Sequence, residues 1–140
     1  DGVRTAGIDI GSEHHVVAVI DAAGGTLVRP TKISEDAVGY ERLVELLGEP
    51  AELVVAMEAT GHYWCNLFAA LAARGYAVAL IDPLRTARFA EEELQRTKTD
   101  ATCALGIARF ALQKRPPPAR LRDETSAELR ELVGLRLRAV

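Results

Sequence analysis

Ala6-Gly7-Ile8-Asp9-Ile10-Gly11 is an apolar run with one carboxylate inside it. The run reads as a short buried strand. Burying a charged carboxylate is costly unless hydrogen bonds or a metal ion compensate. Asp9 is therefore expected at an edge or an end of a sheet, in a position that needs a reason.

The elements that follow decide what kind of sheet this is. Residues 15–20 are a second apolar run, Asp21-Ala22-Ala23-Gly24-Gly25 is a turn signal, and residues 26–33 read as a third strand. The opening is thus an antiparallel meander. Ser34-Glu35-Asp36 starts a helix, with Ser34 or Asp36 as the N-cap. Tyr40, Leu43, Val44 and Leu47 fall on one face of it, and Gly48 and Pro50 close it. Residues 53–58 read as a fourth, fully buried strand that ends in the carboxylate of Glu58. Thr60-Gly61 breaks the chain. Trp64, Leu67, Phe68 and Leu71 then share a face of a second helix closed by Gly75, with Trp64 and Phe68 expected in the core. Residues 77–81 read as a fifth strand, ended by Asp82-Pro83.

Beyond that point the pattern turns helical. Residues 84–94 and 100–113 read as helices, separated by a polar break at 95–99. Pro116-Pro117-Pro118 is a stiff extended linker. Residues 124–140 read as a last helix with a broad apolar stripe, which should pair with a partner helix. The expected division is one folded domain over residues 1–115, then a linker and the start of a further helix over 116–140.

A meander extended by two βα units gives an α/β fold: a mixed five-stranded sheet with helices on both faces. That order is the ribonuclease H-like topology. In it the first and fourth strands are parallel neighbours. Asp9 and Glu58 would then lie toward the carboxyl ends of adjacent strands, where two carboxylates repel unless a cation lies between them. Asp100 and Cys103, three residues apart, share a face of the later helix. Carboxylate oxygens of this kind suit Mg²⁺ or Mn²⁺. Such ions support phosphodiester chemistry by activating a nucleophile and stabilising the leaving oxygen. His14 and His15 are adjacent, face opposite sides of a strand, and are poorly placed to share one metal. His62 and Tyr63 follow Glu58 closely enough to line a site or to pack.

Charge is distributed unevenly. The whole chain carries a net charge of −3, yet residues 1–83 are acidic on balance and residues 84–140 basic. An acidic metal site beside a phosphate-binding surface would look like this. Arg85, Arg88, Arg96 and Lys98 are the candidate phosphate contacts. At 140 residues, 49% hydrophobic and 26% charged, the chain fits one ordinary globular domain with no membrane span. It opens without Met or a signal peptide and ends inside a helical pattern, which reads as a fragment of a longer protein. Cys65 and Cys103 are too few for a disulfide framework or a four-thiolate zinc site, so a reducing cytoplasm is the simplest compartment.

Gly7-Ile8-Asp9-Ile10-Gly11-Ser12, Met57-Glu58-Ala59-Thr60-Gly61 and Lys98-Thr99-Asp100-Ala101 together resemble the DEDD transposases of insertion sequences. The resemblance covers nearly the whole chain, including the spacing between motifs. It implies a RuvC-like N-terminal domain whose four acidic residues bind Mg²⁺. It further implies action on DNA guided by a structured bridge RNA, and a homo-oligomer held through a coiled-coil connector. Asp9, Glu58 and Asp100 match the first three acidic positions. The fourth would fall at residue 103, where this chain has Cys103. A thiol is a poor ligand for a hard cation. Two other readings stay open: a nucleic-acid-binding scaffold that has lost its site at Cys103, and an actin-like ATPase fragment, since Gly-Ile-Asp-Ile-Gly also opens that fold.

Overall fold

The computed structural model describes residues 3–59, 64–85, 88–89 and 104–118. Within them lie β1 (Arg4–Asp9), β2 (His14–Ile20), β3 (Thr26–Ser34), α1 (Ala37–Leu47), β4 (Leu53–Glu58), α2 (Trp64–Ala73) and β5 (Ala77–Ile81). A further helix, here α3, spans Ala104–Lys114. The five strands form one sheet in the order β3-β2-β1-β4-β5. The first two pairings are antiparallel, and β1–β4 and β4–β5 are parallel. The mixed sheet expected from the sequence is the one observed. Residues 86–87 and 90–94 of one expected helix, the polar break at 95–99, residues 100–103 of the next helix, and the expected helix at 124–140 with its coiled-coil connector lie outside the described residues. Leu84, Arg85, Arg88 and Phe89 are helical, as expected, and the helical turn already includes Pro83.

Strand alternation splits the side chains between two faces. Ala6, Ile8, Val17, Val19, Val55 and Met57 point to one face and pack with Leu43 and Leu47 of α1 and Leu67, Phe68 and Leu71 of α2. Trp64 is only partly buried there and meets Phe68 edge-on, with ring centroids 6.0 Å apart. On the other face Ala56 and Ile81 pack against Phe89, Ile107, Phe110 and Ala111. Helices therefore cover both faces, which is why β1 and β4 can be almost wholly apolar.

α3 lies unusually close to the sheet because both partners are small at the crossing. A Cβ on Gly7 would stand 2.1 Å from the carbonyl oxygen of Ala104 and 2.5 Å from the backbone nitrogen of Ala108. Only a glycine fits there. The same contacts fix the direction of the helix. Ala104 begins beside Gly7, while Ala111, Leu112 and Pro116 reach Val3, Thr5 and Val54 at the other end of the strands. The amino-terminal end of α3 thus approaches the carboxyl ends of β1 and β4.

Local signals explain the joints. Asp36 is the N-cap of α1, and its carboxylate accepts from the backbone N–H of Gly39 at 2.8 Å. Ser34, the other cap candidate, instead donates its hydroxyl to Asp36. Gly48, at φ 73°, ends the helix in a conformation that other residues rarely adopt. In the β2–β3 turn the carboxylate of Asp21 accepts from the N–H groups of Ala23 and Gly25. Pro30 lies in β3, whose pairing with β2 has two register irregularities; an edge strand tolerates both features.

Candidate functional site

β1 and β4 stop together. Ile8 is in register with Met57, so the next residue of each strand, Asp9 and Glu58, ends its strand beside the other. Parallel neighbours are spaced about 4.8 Å apart. Both carboxylates lie on the α3 face, since Asp9 follows the alternation of Thr5 and Gly7, and Glu58 that of Val54 and Ala56. Both are half-buried. β1 is held on one side by β2, where Asp9 pairs with Val16, and on the other by β4. Glu58 is held by its pairing with Ile81 and by the Ala59 N–H, which donates to the Ile81 carbonyl at 3.1 Å. Asp9 was expected at an edge or end of the sheet. It stands at the end of the central strand, framed by two neighbours.

Of the other candidates, Asp100, Cys103, Arg96 and Lys98 lie outside the described residues, and so do His62 and Tyr63. No group of three metal-ligating side chains forms among the described residues. Arg85 and Arg88 are exposed. The guanidinium of Arg85 sits 5.4 Å from the centre of the Phe110 ring, a cation–π contact that orients it against α3. Asp82, just past β5, is occupied as a turn cap, accepting from the Leu84 N–H at 2.9 Å. An apolar cleft of about 340 Å³ lies at the opposite end of the strands, lined by Val3, Thr5, Val54, Ala111 and Pro116. It is remote from both carboxylates.

Sequence reading missed how the turn after Asp9 is held. His15 is fully buried, and its Nδ1 accepts from the Gly11 N–H at 3.1 Å. The ring proton therefore sits on Nε2, which donates to Glu35 Oε1 at 2.5 Å. The second oxygen of Glu35 accepts from the Tyr40 hydroxyl at 2.7 Å. The Glu35 N–H donates to the Glu13 carbonyl at 3.0 Å. This chain ties the β1–β2 turn to the start of α1. The signal was present as a lone His inside an apolar strand, but its partner lies 20 residues away. His14 projects to the opposite face and is exposed, so the two histidines are separated as their adjacency implied.

Burial, then the hydrogen bond to Glu35, raises the Tyr40 hydroxyl well above the usual phenol range. Its ordinary pKa is about 10. A group whose folded pKa is raised contributes stability that is present below its unfolded pKa and lost as pH rises beyond it. The thermal midpoint should therefore decline from about pH 10 upward. Tyr40→Phe should flatten that decline when melting curves are compared across the range. Burial raises the Tyr76 hydroxyl too, outweighing the lowering by Arg4 and Arg74, so a residual slope should remain. An equal slope in the variant would contradict this account of Tyr40.

Comparison with known proteins adds the following. The family model described as Transposase, of the DEDD type found in IS110 elements, matches residues 6–140. The IS117 mini-circle protein of Streptomyces coelicolor is 37% identical over 108 residues, covering 73% of this chain and 25% of that protein. The 44.8 kDa protein of insertion element IS116 of Streptomyces clavuligerus is 33% identical over 109 residues, covering 78% of this chain and 27% of that protein. The chain thus spans about a quarter of the length of these relatives. Among solved structures, Thermus thermophilus RuvC in complex with a Holliday junction substrate aligns with a TM-score of 0.58 at 18% identity, covering 84% of this chain and 99% of that one. Another structure of RuvC from the same organism aligns with a TM-score of 0.56 at 17% identity, over 84% and 100% of the two chains. The fold is RuvC-like, within the ribonuclease H-like class.

Proposed function

Since this chain belongs to the DEDD transposase family of IS110-type elements, we propose that it is the metal-dependent catalytic domain of a DNA transposase, acting on DNA phosphodiesters. One observation carries the reading: Asp9 and Glu58 end neighbouring parallel strands on the same face, at the end toward which α3 begins. Asp9, Glu58 and Asp100 are the proposed ligands of Mg²⁺ or Mn²⁺.

The donors fit such an ion. Both described ligands are hard oxygens and half-buried, and each is anchored by a ladder partner, Asp9 by Val16 and Glu58 by Ile81. Asp100 is four residues from Ala104, so the chain itself keeps it within about 14 Å of the Gly7 contact. A bound divalent ion supplies charge neutralisation and nucleophile activation for phosphodiester cleavage. The protein's part is positional. β1 and β4 hold two oxygens at a fixed spacing, α3 closes one side, and the His15–Glu35–Tyr40 chain fixes the turn beyond Asp9. Cys103 leaves the fourth family position without a hard ligand. Arg85, Arg88, Arg96 and Lys98 are proposed as phosphate contacts, with DNA and a structured guide RNA as partners and self-association through residues 124–140.

The test is nicking of a labelled four-way DNA junction by the intact protein. Cleavage should require Mg²⁺ or Mn²⁺ and stop with EDTA. Cleavage that persists in EDTA would contradict metal dependence. Junction binding without cleavage under any metal would favour the scaffold reading, with Cys103 marking a lost site.

A further inference from the structure

We propose that Lys32 and His14 hold the sugar–phosphate backbone of the DNA strand that reaches Asp9 and Glu58. The proposal rests on the reading of that carboxylate pair given above. Sheet register carries it. Asp9 pairs with Val16, and Val16 pairs with Lys32. Residues directly opposite across antiparallel strands project to the same face. Glu58, Asp9, Val16 and Lys32 therefore form one row across four strands, on the α3 face. His14 stands on that face two residues before Val16, diagonal to Asp9. The alternation is borne out by the other parity, where His15 and its partner Ile33 are both buried against α1 and its neighbours.

α3 covers Gly7, one row behind Asp9. Lys32 and His14 are both exposed. Lys32 enters no ion pair among the described residues. One end of the row thus carries two carboxylates and the other an unpaired cation. A metal-dependent site needs anions for the ion and a cation for the flanking phosphates. Lys32 Cα lies two strand spacings from Asp9 Cα, about 10 Å. That separation is on the scale of the phosphates that flank a cleaved bond on the same strand. Lysine serves as a point-charge phosphate binder. Protection of an exposed edge is the other common use of a lysine in such a strand, but Pro30 already serves that end in β3.

The test is fluorescence anisotropy of labelled junction DNA with the chain in EDTA, titrated across salt concentrations. Lys32→Gln should weaken binding several-fold and reduce the slope of log affinity against log salt by about 0.7–0.9, the loss of one phosphate contact. His14→Ala should weaken binding without changing the slope as much. Arg42→Gln is the control. Arg42 lies on α1, on the far side of the sheet, 3.7 Å from Glu45, and its loss should change neither quantity. A neutral methylphosphonate at a phosphate flanking the cleaved bond should weaken wild-type binding but not that of Lys32→Gln. DNA binding with unchanged affinity and slope in Lys32→Gln would overturn this proposal and leave the carboxylate reading intact. Wild-type nicking by Asp9→Asn would overturn the carboxylate reading, and this proposal with it.

Discussion

Asp9→Asn in the intact protein should lower junction nicking by more than about a hundredfold. Losing an outer-shell partner of a metal ligand already costs roughly 10–100-fold, and a ligand itself should cost more. The change is nearly isosteric and removes one charge, so the fold should survive it. A melting curve near that of the wild type would separate lost chemistry from lost structure. Glu58→Gln should behave alike, because the two residues end paired strands and face the same space. The double variant should be little worse than either single one, since residues acting as a unit are not additive. Nicking at the wild-type rate by Asp9→Asn would remove Asp9 from the mechanism.

Gly7→Val should produce the largest loss of stability of any single change considered for this chain. Even a methyl at this position would meet the Ala104 carbonyl at 2.1 Å, the Ala108 nitrogen at 2.5 Å and the Ala108 Cα at 3.0 Å. All three are backbone atoms, so no side chain can swing aside. Overpacking costs about 1–3 kcal/mol where side chains yield, and more where backbone must move. A loss of about 3 kcal/mol or more would lower the thermal midpoint by roughly 10 °C in a domain of this size. Gly7→Ala should be milder but in the same direction. Both should also weaken metal binding, because α3 can move only away from the face that carries Asp9 and Glu58. A midpoint within a degree or two of the wild type would mean that α3 does not sit against β1 as described.

Much of this was legible in the sequence for physical reasons. Four of the strands are short apolar runs bounded by Gly, Pro and Asp, the edge strand β3 is more polar, and their order admits few topologies. Asp9 and Glu58 stood out because each interrupts or ends an apolar strand, where a charge needs a cause. Register could not be read. The pairing of Asp9 with Val16 and of Val16 with Lys32 depends on turn geometry and on two register irregularities between β2 and β3, and neither leaves a periodic trace. For that reason Lys32 was not among the cations singled out. Arg85 was singled out as a phosphate contact, while its partnership with Phe110 joins residues 25 apart and was hidden. Gly7 read as one small residue among several. Only the closeness of α3 shows that its missing side chain is required. The buried His15 belongs to the same class, since hydrogen bonds across elements follow from tertiary packing.

The most direct test is a calorimetric titration of Mg²⁺ and Mn²⁺ into the chain, beside Asp9→Asn and Cys103→Asp. The account predicts saturable binding by the wild type, its loss in Asp9→Asn, and tighter binding in Cys103→Asp, where a hard oxygen replaces a soft sulfur. Equal binding by the wild type and Asp9→Asn, or no binding by any form, would contradict it.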